Sequence, residues 1–446
     1  EASVSALQWK GEPAYHLCRE PFLLFFSVNS LDHLFRSLAS TSEEVTHFAS
    51  AARLRAALVH NRTLDDPVAI DSSILSPAER ACSFLQTKAE SCKDSLERRK
   101  WLDILSRLVL ERGLALQLSN QDRDAAELFV QSAKVHGFQY QLSGALGKRT
   151  KFQREDKTQL VLLARSRKDV VQAEEESREK AAESGANGKA EVEADAAAKS
   201  AKEELNSGWQ AAPKEDADKT MPPNFQLNDD TLLEQTEFTS TQSQSASEDL
   251  AKTDAANQPK LSPFDQCILL ALSLNIRNTS PSHGLTGEEI GAFVARVLLH
   301  PMNWSVYTMG LLLRSRLEAT RTRTVERSVL QLQALIDQMP TADSSVQDRL
   351  RLFYDLDLPP MWEMQAELAR RYASIGVIRS ALDIFTKIEM WEEVVQCLKS
   401  LGRLEEGVEI VRDLLAGKKV EAEASLVSRK EGDAAPSQVA RIRMDS

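Results

Sequence analysis

Cysteine is scarce in these 446 residues. Five occur, at positions 18, 82, 92, 267 and 397, and none forms a Cys-x-x-Cys pair. So sparse a set cannot supply the disulfide framework of a small secreted domain, and reduced thiols in a cytosolic or nuclear protein are expected. Long apolar runs are also missing. The longest, around Phe22–Phe26 and Cys267–Leu274, fall far short of the roughly 18 residues that a membrane span needs. No membrane partner is expected. Opening at Glu1 without a methionine, the chain is expected to have a segment upstream, which leaves room for a signal peptide.

The signatures of chemistry are absent too. Seven histidines never pair with Cys, Asp or Glu at metal-ligand spacing. His16 and Cys18 stand two apart, but no second pair completes a tetrahedral site. Neither a Gly-x-Ser-x-Gly elbow nor a His-Glu-x-x-His helix occurs, and these are the patterns that place a nucleophile or a zinc ion. The stretch from Gly144 to Thr150 superficially resembles a phosphate-binding loop. That loop needs a first Gly where Leu142 stands and a hydroxyl where Arg149 stands, so a turn between helices is the better reading. No enzyme, cofactor, metal or small-molecule substrate is expected.

A basic excess is lacking as well: the formal net charge is -11. Residues 171–220 hold 13 acidic against 7 basic side chains, carrying -6 of that total and leaving -5 for the rest. With no Ile or Phe there, this stretch cannot bury enough apolar surface to offset the entropy of ordering it. A Ser/Thr/Gln-rich stretch from Thr236 to Lys260 follows. Residues 169–260 are therefore expected to be a mostly disordered acidic and polar linker.

What remains is helical in pattern. Trp101, Ile104, Leu105, Leu108, Val109 and Leu116 follow steps of three and four, as do Val325, Val329, Leu332 and Ile336. Val346, Leu350 and Phe353 do the same. Thr286 followed by Glu289 and an apolar run fits a capping box. Pro359-Pro360 separates one helix from another beginning near Trp362. No run alternates as a strand should. The chain is expected to be all-α, with an N-terminal helical domain at 14–168 and the linker at 169–260. A middle helical region at 261–358, helical hairpins at 359–416 and an unstructured tail at 417–446 follow.

Near the C-terminus the pattern sharpens into a repeat. Leu368, Ala369, Tyr372, Gly376, Ala381, Phe385 and Ile388 sit at the spacing of a tetratricopeptide-type hairpin. Small residues such as Ala369 and Ala381 belong where two helices cross closely, and Gly376 belongs in the tight turn between them. Trp391, Val394, Leu398, Gly402, Gly407, Val411 and Leu414 repeat the pattern at a shorter offset than a regular array. Leu114-Ala115, Leu118, Ala125, Phe129 and Ser132 give a weaker echo.

The longer strings resemble the tetratricopeptide repeat protein 27 family. They are 142–153 with Gln159-Leu160, Val325-Glu326-Arg327, Gln333-Ala334-Leu335, Arg349–Tyr354, Leu358-Pro359-Pro360, Ser380–Phe385 and Ile388–Val395. The resemblance covers about 14–168 and 224–416. It implies an α-solenoid that binds proteins, as an adaptor or scaffold in complex assembly or as a co-chaperone. It also implies further repeats beyond Leu415, where Ala416–Ser446 shows no apolar periodicity; a truncated or mis-spliced product is expected. Repeats of this type that grip a C-terminal carboxylate use Lys and Asn at the positions of Ala366 and Arg370, so that clamp is not expected.

Two basic clusters support an alternative, an RNA- or ribonucleoprotein-associated factor. One is Lys148, Arg149, Lys151, Arg154 and Lys157; the other is Arg314, Arg316, Arg321, Arg323 and Arg327. Apart from Phe152, neither has interleaved aromatics to stack bases, and acidic neighbours dilute both. Protein partners are the stronger expectation.

Overall fold

The computed structural model describes residues 2–38, 42–174, 176, 220–239, 250, 253–281 and 283–419. The insertion at 177–219 and the tail at 420–446 lie outside the described residues. Most of the remainder is helical. The first block comprises α1 (Ala2–Ser5), α2 (Pro21–Leu38), α3 (Glu43–Arg62), α4 (Ser72–Ser91), α5 (Ser95–Leu118) and α6 (Asp122–His136). A second block follows with α7 (Pro263–Thr279), α8 (Gly284–Leu298), α9 (Trp304–Glu318), α10 (Val325–Gln338) and α11 (Val346–Leu350). Last come α12 (Met361–Ser374), α13 (Ile378–Lys387), α14 (Trp391–Ser400) and α15 (Leu404–Leu415).

Local chemistry starts these helices where the sequence changes character. Asp94 caps α5 by accepting from Leu96 N, and Ser262 caps α7 by accepting from Asp265 N, with Pro263 at the first helical position. Asn303 accepts from the first N–H groups of α9. At α8 the expected capping box is not formed. His283 is the cap, its Nδ1 accepting from Leu285 N at 3.1 Å. Thr286 lies inside the helix and its hydroxyl donates to the Pro281 carbonyl at 2.8 Å.

Each helix packs on the next in succession from α2 to α10, and α10 packs on α12, which continues through α15. One apolar core runs from Tyr15 and Leu110 through α7–α10 to Leu398. A second core, around Leu54, Leu58, Leu85 and Leu105, joins α3, α4 and α5. The α5–α6 hairpin, the weak repeat echo, crosses closely at Gly113. A Cβ added at Gly113 would lie 2.5 Å from the Phe129 ring.

The expectation that no strand forms is corrected. Between α6 and α7 stands a three-stranded antiparallel sheet of β1 (Gln139–Thr150), β2 (Lys157–Arg165) and β3 (Leu232–Phe238), in the order β2-β1-β3. The segment read as a turn between helices is β1, paired with β2 from Gln139↔Arg165 to Gly147↔Lys157. β3 comes from within 169–260, so part of the segment expected to be disordered is a paired strand. Its Asp229–Phe238 stretch is held by backbone pairing and by ion pairs, which a count of apolar residues does not register. Gly147 allows the approach: a Cβ there would sit 2.8 Å from the Glu237 carbonyl oxygen.

Candidate functional site

The repeat framework residues are brought together in α12–α15. Leu368, Ala369, Tyr372, Ala381, Phe385, Trp391, Val394 and Leu398 are all buried. Ala369 and Ala381 are fully enclosed where α12 and α13 cross, so the small side chains fall at the close approach. Gly407 plays the same part against Val395, whose Cγ1 would meet its Cβ at 3.7 Å. The Tyr372 hydroxyl donates to Gln333 Oε1 at 3.2 Å and ties the first hairpin to α10.

One turn geometry closes the helices again and again. Gly376 N donates to the Ala373 carbonyl at 3.1 Å, and Val377 N reaches back to the Tyr372 carbonyl at 2.9 Å. Gly402 N with Lys399 O, and Arg403 N with Leu398 O, reproduce those bonds at 3.1 and 2.9 Å. Glu389 and Met390 form the same pair of bonds, to Thr386 O and Phe385 O. The residue at the bend has positive φ each time: +89° at Gly376, +57° at Glu389 and +74° at Gly402. This is the Schellman arrangement, for which glycine is the ordinary choice. Glu389 is the exception, and its carboxylate pairs with His16 Nε2 at 2.5 Å.

The carboxylate-clamp positions are otherwise engaged. Ala366 is buried, and Arg370 Nη2 donates to Glu393 Oε1 at 2.8 Å.

The two basic clusters converge on shared carboxylates. Glu288 pairs with Arg149 and, at 3.6 Å, with Arg321. Glu234 on β3 pairs with Arg314 at 3.4 Å and Arg327 at 2.8 Å. Asp229 pairs with Arg323 at 3.6 Å, and its carbonyl accepts from Lys151 Nζ at 2.8 Å. The Thr231 hydroxyl, with the N–H groups of Leu232 and Thr231, holds the Asp229 carboxyl down at about 2. Lys148 approaches Asp156 at 3.9 Å, and Arg316 pairs with Glu367 at 2.8 Å. Arg154 is exposed in the β1–β2 turn. What reads in sequence as two stripes of positive charge is largely a set of ion pairs around β3.

Sequence reasoning missed two buried polar groupings, because their members lie far apart in the chain. His136 Nδ1 stands 2.7 Å from Asp265 Oδ1, and the Ser262 hydroxyl donates to Asp265 Oδ2 at 2.8 Å. The residue types are those of a nucleophilic triad, but the order is wrong. The hydroxyl bonds the carboxylate and not the imidazole, which is the group that would take its proton. This contact joins α6 to α7. In the other grouping, Glu111 takes the Arg55 guanidinium on both carboxylate oxygens at 2.7–2.9 Å, beside buried Asp355. Burial pushes both acids up, Asp355 to about 7.

Among the described residues, no group of three His, Cys, Asp or Glu could hold a metal ion, and no helix is long and apolar enough to cross a membrane.

No protein-family model and no solved structure matches the chain. Curated proteins do. A TPR repeat-containing protein of Schizosaccharomyces pombe is 33% identical over 92% of this chain and 48% of its own length. A tetratricopeptide repeat protein 27 homolog of Dictyostelium discoideum is 26% identical over 92% of this chain and 44% of its own length. A tetratricopeptide repeat-containing protein of Caenorhabditis elegans is 28% identical over 68% of this chain and 34% of its own length. The chain thus spans about half the length, or less, of the curated relatives it matches. The likenesses extend well beyond the hairpins, through the helical body that precedes them, and they support a family like that of tetratricopeptide repeat protein 27.

Proposed function

We propose that the chain is a non-enzymatic adaptor of the cytosol or nucleus, whose stacked hairpins present a surface to protein partners during complex assembly or co-chaperone work. The observation that carries this reading is the turn geometry repeated at Gly376, Glu389 and Gly402. Helices closed the same way each time stack with a constant offset and build an extended face, the surface that repeat proteins use for recognition. The partner is not a C-terminal carboxylate gripped at Ala366 and Arg370, because one is buried and the other engaged. An RNA-associated role is the weaker alternative, since the basic clusters are paired to Asp229, Glu234 and Glu288.

Cross-linking of captured partners separates the two. Partner cross-links concentrated on Lys387, Lys399 and Lys418 are expected for the adaptor. Cross-links confined to Lys148 and Lys151 would overturn it. So would co-purifying RNA whose retention falls steeply with salt, the mark of phosphate contacts.

A further inference from the structure

A cavity of about 650 Å³ lies between the sheet and helices α8 and α9. Its apolar walls include Leu160, Leu162, Val294, Leu298 and Leu317. Five arginines line it, at 149, 296, 314, 321 and 327, against four glutamates at 234, 237, 288 and 318. Four of the arginines have a carboxylate partner. Arg296 has none among the described residues, and the surplus positive charge of the lining is its own.

Arg296 is also the arginine that can least rely on water. It is 3% exposed. Its Nη2 donates to two backbone carbonyls, of Ala164 at 3.2 Å and of Pro259. Nε and Nη1 are buried without an acceptor. Burial alone lowers this guanidinium to about 10. Among the described residues no carboxylate pairs with it, and His300 beside it is itself lowered by burial and then by the charges of Arg296 and Lys260. A buried, unpaired cation is costly, and folds retain one chiefly where an anion completes it.

We propose that this cavity binds a small organic anion, a carboxylate or a phosphate monoester on an apolar body, with the anionic group on Arg296. Both anions form strong charge-assisted hydrogen bonds with a guanidinium. The volume falls in the range of roughly 300–1,000 Å³ usual for small-molecule sites. The leucine-rich walls call for an apolar body, which inorganic phosphate lacks. This site is independent of the hairpins and of the adaptor role.

Titration of the full chain with octanoate, hexyl phosphate and inorganic phosphate at matched ionic strength tests it. Saturable one-to-one binding of octanoate or hexyl phosphate is expected, at least tenfold tighter than inorganic phosphate. Tighter binding of octanoate assigns a carboxylate ligand, and tighter binding of hexyl phosphate a phosphate ester. Arg296→Met should weaken that binding at least tenfold, and Arg296→Lys should keep part of it. In the wild-type chain the Arg296 Nε–H resonance should shift along the same titration, a readout that survives if a variant does not fold. The proposal fails if neither amphiphile saturates, if Arg296→Met binds as the wild type does, or if the Nε–H resonance stays still.

Discussion

Tyr15 stacks on Trp362 with ring centroids 4.3 Å apart and planes 17° from parallel. Its hydroxyl donates to the Ile388 carbonyl at 3.2 Å. The N-terminal segment is thereby fastened to the first hairpin. Burial, and then the negative charges of Glu389 and Asp65, push the phenol up, so it remains a donor at any physiological pH. Tyr15→Phe should cost about 1 kcal/mol, the worth of one hydrogen bond. Tyr15→Ala should cost about 3–5 kcal/mol, as for other large aromatic truncations. Urea midpoints of the two variants check the difference, and equal losses would mean that the ring contributes nothing.

At Glu389 two effects oppose one another. A side chain in the left-handed region costs roughly 1–2 kcal/mol, while the His16 pair at 2.5 Å offsets part of that. Glu389→Gly alone should therefore leave stability nearly unchanged. On a His16→Ala background, where the pair is already lost, the same change should stabilise by about 1 kcal/mol. Gly376→Ala and Gly402→Ala should each destabilise by roughly 1–2 kcal/mol from backbone strain, since an added Cβ meets nothing within 4 Å at either. Thermal melts of these variants test the set.

Gly113→Ala forces a methyl into the Phe129 ring, which is fully buried and cannot retreat. Overpacking of this kind costs about 1–3 kcal/mol. The variant should lose stability even though alanine favours helix. Phe129→Leu should recover part of that loss in the double variant; additive losses would show that the two positions do not meet.

Asp355 is an acid whose folded-state value, about 7, lies above its usual 3.8, chiefly from burial and in part from Glu111, with Arg107 and Arg55 opposing. The folded state therefore binds its proton more tightly than the unfolded chain does. The penalty is absent below about pH 4, grows as pH rises, and is complete above pH 7. It amounts to at most about 4 kcal/mol, since each tenfold change in an ionisation equilibrium is worth about 1.4 kcal/mol. Asp355→Asn should raise the melting temperature at pH 8 and have little effect at pH 4.5. A variant with an unchanged pH profile would sink this account.

Helices were legible because their apolar residues recur at three and four, and the hairpin turns because glycine marks the bend. The sheet was not, for reasons visible in its residues. Along β1 the inward positions are Ser143, Ala145 and Gly147, small rather than apolar, while Leu146 faces out. Alternation of shape is present there without alternation of hydrophobicity. In β2, Val161, Leu162, Leu163 and Ala164 are buried on both faces, and such an apolar run fits a helix as well as a strand. Glu389 was invisible as a turn residue because its cost is met by His16, distant in sequence. Arg296 was missed for the converse reason. In sequence it is one more arginine, and only the fold shows that, among the described residues, no carboxylate pairs with it.

The fastening of Tyr15 and His16 to Trp362, Ile388 and Glu389 bears on how the chain comes apart. A linear array of repeats contacts only its neighbours and can fray from either tip one unit at a time. Here α12 and the turn after α13 are tied to Tyr15 and His16, up to 373 positions earlier in the chain, so peeling them away must first break a contact of very high sequence separation. Such contacts raise the contact order and slow folding. The same tie should merge the hairpins and the N-terminal helices into a single cooperative unit, in which neither melts before the other.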